Sequence, residues 1–129
     1  MVLDTSAILA ILFDEPERGD FNRRIEADPV RLLSAGNRVE VALVVEGRKR
    51  EAGRVDVERF LVEASVEVVA LTPEHAEIAC EAFRRFGRGR HPAGLNLGDC
   101  FSYALARATG EPLLFKGNDF AKTDVTRAG

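Results

Sequence analysis

The chemistry open to this chain is carried by four acidic side chains, Asp4, Glu40, Asp99 and Asp119. Asp4 ends the opening run Met1-Val2-Leu3, which reads as a short buried strand, and Thr5 and Ser6 behind it read as helix starters. Asp119 follows a second apolar run, Pro112 to Phe115, through the turn Lys116-Gly117-Asn118-Asp119. Glu40 and Asp99 read as first-turn acids of helices capped from Ser34-Ala35-Gly36-Asn37 and from Asn96, with Asp99 placed where a capping-box acid would sit. Acids that end strands and acids that open helices meet at one rim of a parallel sheet, outside the carboxyl ends of the strands. Singly, Glu40 and Asp99 are ordinary helix-dipole acids and Asp119 an ordinary turn residue. Asp4, ending a buried strand, has no such plain explanation.

Together the four make a physical demand. Two like charges about 4 Å apart repel by roughly 4 kcal/mol at an effective dielectric near 20. Four would raise one another's pKa values unless a cation neutralised them. A hard divalent ion with oxygen ligands answers that demand, so Mg²⁺ or Mn²⁺ is the expected cofactor. No His or Cys stands where it would favour zinc. One or two such ions can activate water and stabilise the transition state of phosphodiester hydrolysis.

The elements that must position these acids follow in order. Ala7 to Phe13 is almost wholly apolar and reads as a buried helix, broken by Asp14-Glu15-Pro16. Glu17 to Asp28 reads as an amphipathic helix with Phe21 and Ile25 inward, and Val30 to Leu33 as a second strand. A third helix runs to about Glu51 with Val41, Val44 and Val45 on its apolar face. A loop at Gly53 separates it from a fourth helix marked by Val57, Phe60, Leu61 and Ala64. Val66 to Leu71 reads as a third strand. Thr72-Pro73-Glu74-His75 opens a helix continued by Ala76, Ala79, Cys80 and Phe83, with His75 on the surface. Gly87 to Gly94 is a loop. The helix after Asn96 carries Phe101, Leu105 and Ala108 and ends at Gly110. A fourth strand, a short last helix and a short edge strand at Asp124-Val125 complete the chain. Strands alternating with helices predict an α/β fold: one domain over residues 1–129, a central, mainly parallel sheet of four to five strands, and helices on its faces.

A chain of 129 residues with 46% apolar and 30% charged residues reads as a globular domain without a membrane-spanning run. Two isolated cysteines, Cys80 and Cys100, fit a reducing cytoplasm better than a disulfide framework. A net charge of −3 gives no general attraction to nucleic acid, so any contact must use a local basic patch. Ala82 to Gly98 supplies one: it holds no acid, carries Arg84, Arg85, Arg88, Arg90 and His91, and leads directly into Asp99. Lys116 adds a cation beside Asp119. Arg48-Lys49-Arg50 reads as a solvated helix face.

Asp4-Thr5-Ser6, Glu40, Asn96-Leu97-Gly98-Asp99-Cys100 and Lys116-Gly117-Asn118-Asp119-Phe120 resemble, in order and across essentially the whole chain, the motif set of PIN-domain ribonucleases. They are most similar to the VapC toxins of bacterial toxin–antitoxin modules. The resemblance implies a three-layer PIN-like fold and metal-dependent hydrolysis of RNA. It implies Mg²⁺ or Mn²⁺ on Asp4, Glu40, Asp99 and Asp119, with Ser6 orienting Asp4 or touching the scissile phosphate, and Asn96 and Asn118 as weaker auxiliaries. It further implies a homodimer and a cognate VapB-type antitoxin that wraps a groove, which the apolar helix Ala7 to Phe13 and the helices after it would either line or, equally, leave unlined by serving as plain core. Two other functions compete: a catalytically silent PIN-fold binding module for RNA or protein, and a phospho-acceptor receiver domain. The receiver reading lacks an acid pair at Asp4 and any Asp after the second and third strands.

Overall fold

The computed structural model describes Met1–Gly129. Its elements in chain order are β1 (Val2–Leu3), α1 (Thr5–Leu12), α2 (Arg18–Ala27), β2 (Leu32–Ser34), α3 (Ala35–Glu63), β3 (Glu67–Val69), α4 (Pro73–Phe86), α5 (Leu97–Thr109) and β4 (Leu113–Leu114). A single 3₁₀ turn follows at Phe120–Lys122. The sheet has four strands, all parallel, in the order β3-β2-β1-β4. Its winding therefore runs outward from β1 to β3 and then returns to the other side of β1. That reversal leaves a crevice at the carboxyl ends of β1 and β4, where ligands bind in open α/β sheets.

Alternation along the short strands divides the core in two. Leu3, Leu33 and Leu114 pack with Ala7, Ile8, Ile11, Phe21, Ile25, Val41, Val45, Val57 and Phe60 from α1, α2 and α3. Val2 and Leu113 face the other way, onto Ala79, Ala82 and Phe86 of α4 and Tyr103, Ala104 and Leu105 of α5. The result is the expected three-layer arrangement. Val2 and Leu3 are wholly buried, so a two-residue strand stands at the centre of the molecule.

Several expectations are corrected. Asp4, rather than Thr5 or Ser6, is the N-cap of α1, its side chain accepting from the Ser6 amide. There is no loop at Gly53. α3 kinks at one residue, Arg50 (φ 56°, ψ −135°), and continues. Gly53 lies inside the second limb because a Cβ there would come within 2.7 Å of the Val45 carbonyl oxygen. The glycine serves close approach, not a turn. The run Arg48-Lys49-Arg50 is exposed, as expected, and two of its side chains also make contacts. Arg48 lies 3.9 Å from the centre of the Phe13 ring, and Lys49 donates to the Leu12 carbonyl at 2.9 Å and pairs with Asp56. These contacts tie the end of α1 to the kink.

The inward face of α4 is His75, Ala79, Ala82 and Phe86, so His75 is buried. Ala76, Cys80 and Phe83 lie on a neighbouring face and line an apolar groove of about 520 Å³ against Leu97, Cys100 and Phe101 of α5. Ala108 is exposed and Val44 is 36% exposed, against the expected apolar faces. The last pairing is a parallel bridge from Leu113 to Arg127, not a strand at Asp124-Val125. α1 cannot offer a docking groove, because Ala7, Ile8, Ala10 and Ile11 are core. No helix is long and apolar enough to cross a membrane.

Truncating the central strand and truncating an exposed position should differ sharply. Leu3→Ala is expected to lower the unfolding free energy by about 2–5 kcal/mol in urea titration. Val62→Ala, at a side chain 77% exposed, should stay within about 0.5 kcal/mol of the unaltered chain.

Candidate active site

Asp4 is the anchor of the crevice. Its carboxylate is 2% exposed and three donors hold it. Oδ2 accepts from the Ser6 amide at 3.0 Å and the Ser6 hydroxyl at 2.6 Å, and Oδ1 accepts from the Ser102 hydroxyl at 2.6 Å. Burial pushes the Asp4 carboxyl above its ordinary value, the serine bonds pull it back, and the charge of Glu40 adds to the rise. The Ser6 hydroxyl has a second task. It accepts from the Lys116 amide at 3.0 Å and so fastens the chain leaving β4 to the start of α1. With its proton committed to Asp4, Ser6 orients that acid.

Asp99 opens α5 in a complete capping box. The Asn96 side chain accepts from the Asp99 amide at 2.9 Å, and Asp99 Oδ2 accepts from the Asn96 amide at 3.0 Å. Burial pushes the Asp99 carboxyl up to about 6, the Asn96 amide opposes that rise, and the charges of Asp4, Asp119 and Glu40 add to it. Each of the other three acids thus acts on Asp99. The four acids are near enough for their charges to be felt at Asp99, although no three of them close into a ligand cluster.

Glu40 lies one turn deeper in α3 than expected, beyond its first turn. It reaches the site because Gly98 has no side chain: a Cβ at Gly98 would run into both carboxylate oxygens of Glu40. That places Glu40 against the amino end of α5, where a helix favours negative charge. Asp119 is exposed at the head of the 3₁₀ turn, with no capping bond from its side chain. Asn96 is spent on the cap, and Asn118 is exposed in the turn before Asp119.

Two contributors escaped the sequence reading. Ser102 stands three residues after Asp99, one helical turn on, and that i,i+3 spacing was the available signal. Asn37 was legible only as a cap candidate, yet it is wholly buried and donates to Thr5 Oγ1 at 3.1 Å and to the Gly98 carbonyl at 3.0 Å.

The donor set suits a hard cation, since it is all carboxylate oxygen. Local bonds hold Asp4 and Asp99, and no three of the acids close into one ligand cluster. The fit therefore rests on the donor chemistry and on the nearness of the acids, the charges of Asp4, Asp119 and Glu40 adding to the burial that raises Asp99.

The basic residues are unequally committed. Arg84 pairs with Glu81, and Arg85 lies over Phe86 and near Asp124. Lys116 is held by Glu15 at 2.9 Å and Glu17 at 3.6 Å. Arg90 sits over the Phe83 ring beside the apolar groove, and Arg88 is exposed. His91 shapes the loop: its Nδ1 accepts from the Ala93 amide and its ring meets Phe86 edge-on.

Known proteins match the chain in sequence and in fold. The PIN domain model matches residues 1–125. Ribonuclease VapC30 of Mycobacterium tuberculosis is 50% identical over 125 residues, covering 97% of this chain and 95% of that protein. Ribonuclease VapC of Mycolicibacterium smegmatis is likewise 50% identical, with 97% of both chains covered. Among solved structures, the sarcin–ricin loop cleaving toxin VapC20 of Mycobacterium tuberculosis superposes with a TM-score of 0.78 at 20% identity, covering 97% of this chain and 95% of that one. A chain of a toxin–antitoxin complex from Klebsiella pneumoniae superposes with a TM-score of 0.69 at 20% identity, covering 95% and 92%. By a match over nearly its full length and by half-identical relatives, the chain belongs to the PIN-domain family, among the VapC ribonucleases.

Proposed function

We propose that this protein is a metal-dependent endoribonuclease, the toxin of a toxin–antitoxin pair, acting in the cytoplasm on RNA phosphodiesters. One observation carries the reading: four carboxylates from separate segments act on one another at the crevice where the sheet winding reverses. Asp4, Glu40, Asp99 and Asp119 would hold Mg²⁺ or Mn²⁺. Such an ion supplies an activated water and stabilises the charge that builds on the phosphoryl oxygens.

The chain's own residues do the rest. Ser6 and Ser102 keep the Asp4 carboxylate in one orientation and oppose the rise that burial imposes on it. The amino end of α5 carries Asp99 and receives Glu40, offsetting part of their repulsion. Arg84, Arg85, Arg88 and Arg90 are the proposed contacts to the RNA backbone. Lys116 joins them by exchanging Glu15 and Glu17 for phosphate. A VapB-type antitoxin and a second copy of the chain are the proposed protein partners. Val39 (58% exposed), Leu43 (72%) and Leu97 (70%) are the apolar residues available to them, in place of α1. A silent binding scaffold is the rival reading, and catalysis decides between them.

Antitoxin-free protein should cut RNA with Mg²⁺ or Mn²⁺ and stop in EDTA. Asp4→Asn and Asp99→Asn should each lower kcat by about a hundredfold or more while the circular dichroism spectrum holds. Full activity in those variants would move the chemistry elsewhere.

Asp99 also predicts a pH signature in the metal-free protein. Its folded value of about 6 stands above the ordinary 3.8, so between those pH values the folded chain holds a proton that the unfolded chain has lost. Stability therefore falls as pH rises through that window. Asp99→Asn removes the penalty. In EDTA the variant should be more stable than the unaltered chain by about 1–2 kcal/mol at pH 7.5, after allowance for solvent screening, and show no gain near pH 4. An equal difference at both pH values would contradict the assignment.

The basic loop is tested by salt. Replacing Arg88 and Arg90 by Ala should weaken RNA binding and reduce the slope of log affinity against log salt by roughly 0.7 per arginine lost. An unchanged slope would remove the loop from the interface.

A further inference from the structure

We propose that Asn37 is a positioning residue for the acid site, setting the spacing between Asp4 and Asp99 with a carboxamide bonded to the neighbour of each. The proposal rests on the metal-dependent reading above.

Asn37 is 0% exposed. Its two amide hydrogens go to two different segments, one to Thr5 Oγ1 at 3.1 Å and one to the Gly98 carbonyl at 3.0 Å. Thr5 directly follows Asp4, and Gly98 directly precedes Asp99. Asn37 itself stands three residues before Glu40 in α3, a spacing that puts the two on one side of the helix. A single planar group therefore joins the segments that present three of the four acids, although 61 residues separate Asn37 from Gly98 in the chain. Bonds this close to the backbone of Asp4 and Asp99 transmit displacement directly, because each of those two acids adjoins a residue that Asn37 holds.

The third polar atom of Asn37 separates this role from plain packing. Oδ1 is buried and has no hydrogen-bond partner. Turning the amide over would not help, since it would set that oxygen against the Gly98 carbonyl and lose a bond. An unpartnered buried acceptor costs stability. Leucine has nearly the same shape and would carry no unpaired acceptor of its own. What leucine lacks is the pair of donors, and those donors hold the starts of α1 and α5 against α3. Groups that orient ligating carboxylates from behind tune metal affinity and rate together.

The test uses the full chain and two variants. Asn37→Leu removes both donors, and Thr5→Val removes only the hydroxyl acceptor at nearly constant shape. Mn²⁺ binding is read by electron paramagnetic resonance of the free ion, melting is followed in EDTA, and kcat and KM are measured on a short fluorescent RNA. Asn37→Leu should weaken Mn²⁺ binding by about 10- to 100-fold, with Thr5→Val weakening it less. In both, kcat should fall in step while KM for RNA stays within about threefold, because the RNA contacts are untouched. Unaltered Mn²⁺ affinity in a folded Asn37→Leu chain overturns the proposal. If that variant does not fold, Thr5→Val decides: unchanged Mn²⁺ affinity overturns the proposal and a weakened one supports it. An unaltered chain that neither binds Mn²⁺ nor cuts RNA overturns the underlying nuclease reading instead, and the unaltered chain's own behaviour tells the two failures apart.

Discussion

A carboxylate almost sealed from water at the end of the central strand sets the terms for everything around it. Burying an ionised acid costs several kcal/mol unless donors replace the lost water. Asp4 receives those donors from Ser6 in α1 and Ser102 in α5. Both helices must start where they do for those donors to offset the burial that raises the acid. The same Ser6 hydroxyl accepts the Lys116 amide, so the segment that carries Asp119 is fixed by the bond that orients Asp4. Strand, helix starts and the turn after β4 are one electrostatic unit, and the reversal of sheet order places it in a crevice open to a substrate.

The degree to which this could be read from the sequence followed the range of the interactions. Local signals were faithful. The Asn96–Asp99 capping box, proline behind Thr72 and the left-handed Gly110 (φ 72°) all stand where their residue types put them. The alternation of strands with helices led to the right three-layer fold. Glycines were ambiguous, because Gly53 permits close packing within a helix where its type equally fits a turn. Apolar spacing on α4 pointed to Ala76, Ala79, Cys80 and Phe83, when the buried face shares only Ala79 with them and includes His75. One face of a helix cannot be told from its neighbour by composition when both carry alanine and phenylalanine.

The site was legible in its charges and illegible in its supports. Asp4, Glu40, Asp99 and Asp119 stand out because like charges placed together require an explanation. Ser102 and Asn37 do not stand out. Their importance comes from partners 98 and 61 residues away in the chain, which no local pattern records. The cations show a related limit. Lys116 stands beside Asp119 in the sequence, but Glu15 and Glu17 from the segment after α1 hold it.

Two positions with no side chain also govern how near α3 can come to α5. A Cβ at Gly36 would press into the Phe101 ring, as one at Gly98 would press into the Glu40 carboxylate. The two helices meet where matter has been left out, as a dovetail fits its slot. The reach of Glu40 toward α5 is thereby written in missing atoms, and the gauge of the acid rim is decided at residues that have no chemistry of their own.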